Sequence, residues 1–184
     1  YSRAKNLHET SKIISKKYNG FVPNDKNILL SFPGVGNYTA SAIMAIAFNN
    51  KCNVVDGNVE RIFSRLYALE EPIEISKTII NNLAEKHLPD YRYGDYAQSL
   101  MDLGSLVCIS KSPRCSICPI INFCKVGGTT ASSAYPKRLP KKNKENRYGL
   151  FFCLINQEDS ILITTNKNKG LLANMDVLPS IGWY

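Results

Sequence analysis

Residues 4–18 place Ala4, Leu7, Ile13, Ile14 and Tyr18 at imperfect helical spacing, and Gly20 with Pro23 just beyond predicts where that helix stops. A short helix is predicted over 25–30, then a tight turn at Pro33, Gly34, Val35 and Gly36, then a second helix over 38–48 with a small, apolar body. Asn49 and Asn50 end it. Residues 58–69 are strongly amphipathic, with Val59, Ile62, Phe63, Leu66 and Leu69 on one face. Further helices are predicted over 76–87, with Ser76 as N-cap, and over 94–107, where Tyr96, Ala97, Leu100, Leu103, Gly104 and Val107 share a face. Such stripes ordinarily mark core packing.

The pattern changes after residue 127. Gly, Ser, Thr and Pro fill the next stretch, and residues 137–147 hold six Lys/Arg against one Glu, the composition of a linker. YGLFFCLIN (148–156) and SILITT (160–165) then read as β-strands separated by a Gln-Glu-Asp turn. The predicted organisation is mainly α: a helical part over 1–127, a basic linker over 128–147 and a β-rich part over 148–184. The absence of an initiator Met and the apolar finish VLPSIGWY lead us to expect a fragment of a longer protein.

Composition narrows the function classes. At 184 residues, 44% hydrophobic and 21% charged, the chain is too apolar for wholesale disorder. No apolar run approaches the roughly 18–20 residues of a membrane span, and the first residues lack the apolar core of a secretory signal. Lys and Arg number 23 against 15 Asp and Glu, a net charge of +8 that favours a polyanionic partner.

Three local patterns carry candidate chemistry. Four of the six cysteines follow the spacing Cys108-x6-Cys115-x2-Cys118-x5-Cys124, which argues for metal in a reducing compartment rather than disulfides. Four thiolates can hold either a tetrahedral zinc ion or a [4Fe-4S] cube. One short knuckle between two longer arms suits the four corners of a cube better. Lys111 and Arg114, inside that loop, are either phosphate contacts held in place by the metal or solvated charges. Cys52 and Cys153 fall outside the pattern and read as buried apolar residues.

The Pro-Gly-Val-Gly turn joins two helices. Its glycines permit close backbone approach, and the following helix N-terminus is an anion site suited to a DNA strand. Asp56, in Val-Val-Asp-Gly-Asn-Val, lies between an apolar pair and a helix start. It reads as an N-cap, a role Asn58 could also serve. It is also a carboxylate placed to stabilise a developing cation.

Together these elements resemble the helix-hairpin-helix DNA glycosylases, and within them the adenine DNA glycosylase branch (MutY type). The resemblance runs over nearly the whole chain. YSRAKNLH is similar to the segment leading to that family's hairpin, FPGVGNYTASAI to the hairpin and VVDGNVERI to its catalytic aspartate segment. MDLGSLVC with the x6, x2, x5 spacing is similar to its [4Fe-4S] loop, and AYPKRLPKK to the connector to a C-terminal Nudix-like domain. The cysteine spacing and the Asp-Gly-Asn-Val segment are the specific matches, since many DNA-binding proteins share the hairpin alone.

The resemblance implies excision of adenine mispaired with 8-oxoguanine or guanine in double-stranded DNA, by a monomer in the bacterial cytoplasm at the nucleoid, with no membrane partner. It implies that Asp56 stabilises the oxocarbenium-like sugar, that Asn58 orients the aspartate or water, and that Tyr38 lines the site. Gly34, Val35 and Gly36 would contact the DNA backbone, and Lys111 and Arg114 its phosphates. Cys108, Cys115, Cys118 and Cys124 would ligate a structural [4Fe-4S] cluster. Tyr38 stands where the endonuclease III branch has its nucleophilic lysine, and Gly57-Asn58 stand where that branch usually has Thr-His. Both differences favour a monofunctional glycosylase over a glycosylase/lyase. The family's general-acid glutamate lies upstream of the matching segment, so little excision is expected of this chain alone; a DNA-binding module without catalysis is the alternative. No Nudix box occurs, and 170–180 departs from the family's usual Gly-rich turn.

Overall fold

The computed structural model describes residues 1–140, 144–146, 148–167, 170 and 172–182. It divides into a helical unit, Ser2–Pro140, and a C-terminal unit, Lys141–Tyr184. Part of the predicted basic linker, 141–143 and 147, lies outside the described residues, as does Leu171 in the 170–180 segment.

In the helical unit, α1 (Ser2–Lys17) leads through Asn19 and Gly20, both left-handed, to α2 (Lys26–Leu30). Asp25 caps α2, accepting from the N–H groups of Asn27 and Ile28 at 2.7 and 3.0 Å. After the Pro-Gly-Val-Gly turn comes α3 (Asn37–Phe48), closed by Asn49 in the left-handed conformation. Leu29, Phe32, Ala40 and Met44 form one core cluster, covered by Ile13 and Ile14 of α1 and by Tyr18 just after it.

Helices α4 (Gly57–Tyr67) and α5 (Lys77–Lys86), with Ile73 between them, supply a second cluster: Val59, Ile62, Phe63, Ile73, Ile80 and Ala84. Val59, Ile62 and Phe63 lie on the amphipathic face expected over 58–69, and Leu100 and Leu103 of the face expected over 94–107 pack against the cluster. Helix α6 (Tyr93–Asp102) crosses α3 closely. A Cβ at Gly94 would lie 2.7 Å from the Ala45 carbonyl oxygen, so only glycine permits this approach.

Three expectations need correction. Ser76 takes the N-cap position of α5, but its side chain makes no capping bond: its hydroxyl donates backward to the Glu71 and Pro72 carbonyls. The predicted helix over 94–107 is not uniform. It is α-helical to Asp102 and widens into a π-turn over Leu103–Val107, with the Cys108 N–H reaching the Leu103 carbonyl at 2.6 Å. Cys153 is exposed and Cys52 only half-buried, so neither is the buried residue expected.

The strands of the C-terminal unit are shorter than predicted. They are β1 (Gly149–Phe151), β2 (Thr164–Thr165), β3 (Asp176–Val177) and β4 (Ser180–Gly182). β1 pairs antiparallel with β4, and β2 with β3. Around the Gln-Glu-Asp turn only an isolated Ile155–Ile161 bridge forms. Among the described residues no helix is long and apolar enough to cross a membrane.

Three phenols in the helical unit hold their protons more tightly than free tyrosine. Tyr135 does so through its hydrogen bond to Glu70, Tyr96 through burial and then Tyr67, and Tyr38 through burial and then the Asp56 charge. Raised folded-state values leave this stabilisation intact below the ordinary tyrosine range, near about 10, and remove it as pH rises through and above that range. Tyr96→Phe with Tyr135→Phe is therefore expected to flatten the alkaline fall in unfolding free energy. An unchanged slope in denaturant titrations between pH 8 and 11 would contradict this.

Candidate DNA-binding and catalytic site

The two helices of the hairpin present their turn asymmetrically. Gly34 adopts φ +76°, and a Cβ there would meet the Asn6 Cβ of α1 at 2.7 Å. The Thr10 hydroxyl of α1 donates to the Pro33 carbonyl at 2.9 Å, fastening the same side of the turn. Val35 also faces inward: its side chain packs on the Leu29–Phe32 cluster and its N–H donates to the Phe32 carbonyl at 3.1 Å. Gly36 is different. Its backbone is extended, nothing lies within 4 Å of its Cβ position, and it caps α3 without any side chain. The first-turn N–H groups of α3 are thus left without a side-chain cap at an open position, which is the arrangement that receives an anion.

Asp56 caps α4. Its Oδ1 accepts from the Asn58 and Val59 N–H groups, both at 2.8 Å, and its Oδ2 accepts from the Asn58 amide at 3.1 Å. Tyr38, 44% exposed on α3, lies within the electrostatic reach of this carboxylate. Asp56 and Asn58 are hydrogen-bonded to each other, and the Asp56 charge reaches the Tyr38 phenol, whose proton is held more tightly for it.

Asn58 is held from behind. Its amide oxygen accepts from Arg61 Nη2 at 2.8 Å, and Arg61 also donates to the Gly104 carbonyl at 2.7 Å and the Cys108 carbonyl at 2.8 Å. Burial lowers the Arg61 guanidinium, while Cys108 acts in the opposite direction and Arg65 again lowers it. A Cβ at Gly104 would sit 2.5 Å from the Asn58 Cβ, so glycine at the π-turn makes room for this amide. Gly104→Ala is expected to displace the Asn58 side chain, with overpacking destabilising the fold by about 1–3 kcal/mol in denaturant unfolding. Unchanged stability would contradict this close approach.

Arg61 and Arg65 were not singled out from sequence. Their i, i+4 spacing places both on one face of α4, and that was the available signal.

Cys108, Cys115, Cys118 and Cys124 all line one cavity, together with Arg65 and Arg114. Burial pushes the Cys124 thiol up, and Cys108 and Cys115 push the same way, against the N–H groups of Val126 and Gly127. The donor set is therefore four thiols sharing a cavity, which fits a thiolate-ligated metal group. Among the described residues, no three His, Cys, Asp or Glu side chains converge at the spacing of a single metal ion. Lys111 and Arg114 are exposed on this loop, neither in an ion pair among the described residues.

With this geometry in place, comparison with known proteins identifies the lineage. Residues 1–90 match the model of the HhH-GPD superfamily base excision DNA repair protein. This stretch runs from α1 through α5 and takes in the hairpin and the Asp56 segment. An adenine DNA glycosylase of Buchnera aphidicola (subspecies Acyrthosiphon pisum) is 30% identical over 97% of this chain and 51% of its own length. The chain spans about half the length of such curated relatives. Among solved structures, a thermostable thymine-DNA glycosylase matches with a TM-score of 0.58 at 31% identity, covering 67% of this chain and 57% of that one. A trapped endonuclease III–DNA covalent intermediate, an estranged-adenine complex, matches with a TM-score of 0.55 at 28% identity and the same coverage. Members of this superfamily typically carry an iron–sulfur cluster. The mainly helical fold expected from sequence is the fold found.

Proposed function

We propose that this chain is the hairpin, aspartate and cysteine-loop portion of an adenine DNA glycosylase that hydrolyses the N-glycosidic bond of adenine opposite 8-oxoguanine or guanine in duplex DNA. The observation that carries this reading is the Asp56 constellation: a carboxylate at a helix N-terminus, braced by Asn58, with a protonated phenol where a lysine nucleophile would have to stand. A tyrosine cannot form a Schiff base with the abasic sugar, so hydrolysis without strand cleavage follows.

In this mechanism the target adenine leaves the stack and enters the site between α3 and α4. As the glycosidic bond lengthens, positive charge grows on the deoxyribose. The free lone pairs of the Asp56 carboxylate stabilise that charge without reorganisation, because two backbone N–H groups and the Asn58 amide already fix its orientation. Tyr38 bounds the site and donates its hydroxyl proton as a hydrogen bond. The α3 N-terminus at Gly36 receives the DNA backbone beside the extruded nucleotide, and exposed Lys111 and Arg114 add phosphate contacts. Gly34 and Val35 act through the shape of the turn, since Gly34 packs on α1 and the Val35 N–H is already used.

Cys108, Cys115, Cys118 and Cys124 would hold a [4Fe-4S] cluster, which supplies a fixed structural brace for the loop that carries Lys111 and Arg114. The four thiols share one cavity, in keeping with a thiolate-ligated group.

The glycosylase/lyase reading is separated by borohydride trapping on a duplex with adenine opposite 8-oxoguanine, using the gene product that carries this chain. We expect free adenine, an intact abasic strand and no covalent adduct. A trapped adduct with strand cleavage would overturn the monofunctional assignment.

A further inference from the structure

Arg65 is 2% exposed and has no carboxylate partner among the described residues. An isolated buried guanidinium is costly, so its hydrogen bonds must be provided by something else. They are provided by the cysteine loop. Nε donates to the Tyr135 carbonyl at 3.1 Å. Nη1 donates to the Ile109 carbonyl at 2.7 Å and to the carbonyl and Sγ of Cys108, both at 3.3 Å. Nη2 donates to the Ser110 carbonyl at 2.9 Å. The Arg65 carbonyl accepts from the Cys124 thiol at 3.6 Å, and the neighbouring Leu66 carbonyl accepts from the Lys125 N–H at 3.1 Å.

One side chain therefore touches the entry of the loop at 108–110 and the later chain at Tyr135, while its backbone holds the fourth cysteine. The planar fork of arginine satisfies diverging carbonyls that a lysine ammonium cannot reach together. None of these contacts involves DNA or the reacting sugar.

We propose that Arg65 is a positioning residue that preassembles the four-cysteine site and donates a hydrogen bond to the Cys108 sulfur, so that it controls how long the loop retains its cluster. This rests on the reading of the loop as a [4Fe-4S] site. Outer hydrogen bonds of this kind orient metal ligands and tune the metal–sulfur bond.

The test uses the 184-residue chain reconstituted with iron and sulfide, in four forms: wild type, Arg65→Lys, Arg65→Met and Leu29→Ala. Leu29 is buried in the α2–α3 core, away from the cysteine loop, and its truncation is a control for lost stability alone. Iron release to a chelator and the Fe–S(Cys) stretching bands are the readouts. We expect both Arg65 variants to release iron about 10–100-fold faster than wild type, with shifted Fe–S(Cys) bands, and Leu29→Ala to match wild type in both. Arg65→Met is informative because a well-packed apolar replacement of a buried charge is often tolerated by the fold. Retention and bands like wild type in both Arg65 variants would overturn the proposal while leaving the cluster reading standing. So would Leu29→Ala losing iron as fast, or both Arg65 variants lacking helical circular dichroism before iron is added. A wild-type chain that takes up no iron and sulfide would overturn both readings.

Discussion

Asp56→Asn is expected to slow adenine release about 10²–10³-fold, the loss seen when one preorganised electrostatic stabiliser is removed. The substitution separates the two roles of this residue. Asparagine caps helices as well as aspartate does, so α4 keeps its Asn58 and Val59 N–H contacts, while the bond from the Asn58 amide is lost because an amide NH2 cannot accept it; stability changes by about 1 kcal/mol or less. What it lacks is the negative charge beside the sugar. Duplex binding should stay within a few-fold of wild type, because Asp56 repels rather than attracts phosphate. Asp56→Ala should add a cap loss of about 0.5–2 kcal/mol to the same kinetic defect. Single-turnover rates paired with denaturant unfolding of both variants check this. An asparagine variant with undiminished excision would reduce Asp56 to a helix cap.

The two hairpin glycines should fail in different ways. Gly34→Ala forces an L side chain to φ +76° and drives a methyl into the Asn6 Cβ of α1. The left-handed conformation costs roughly 1–2 kcal/mol and the overpacking about 1–3 kcal/mol. The expected result is a loss of about 2–5 kcal/mol, measured by denaturant unfolding. Gly36→Ala meets no neighbour and needs no unusual backbone angle. It should cost under ~1 kcal/mol, mostly as a poorer N-cap, yet weaken duplex binding, because its methyl occupies the open face of the α3 N-terminus. Equal stability losses in the two variants, or unimpaired DNA binding by the Gly36 variant, would contradict the asymmetry of the turn.

Much of the helical unit was legible because its signals are local. Asp56 caps a helix where N-cap chemistry places it, Asn49 closes α3, and the stripe of Val59, Ile62 and Phe63 faces the core. Ser76 misled because a serine before a helix can also turn back to the preceding carbonyls, and only tertiary structure decides between the two. The π-turn over Leu103–Val107 has no periodic signature of its own, so it read as a continuation of α6. Strand lengths were overestimated because apolar, β-favouring residues such as Phe152 and Ile163 remain exposed rather than paired into a longer ladder.

At the site, local pattern, to which the family resemblance added the roles of Asn58 and Tyr38, pointed to Asp56 and the cysteines. It did not point to Arg61 and Arg65. A charged residue on an amphipathic helix is ordinarily solvated, and nothing local announces that distant carbonyls at Gly104, Cys108 and Tyr135 will surround it. It also could not distinguish Gly34 from Gly36, because the difference is made by Asn6, far away in the chain.

The central claim is that this architecture removes adenine hydrolytically. The most direct measurement is chromatographic detection of the free base released by the gene product that carries this chain. Duplexes with adenine opposite 8-oxoguanine, guanine or thymine would be compared under single-turnover conditions. The account predicts adenine from the first two and very little from the third, with Asp56→Asn suppressing release. Release of a pyrimidine instead, or adenine release indifferent to the opposite base and to Asp56, would contradict it.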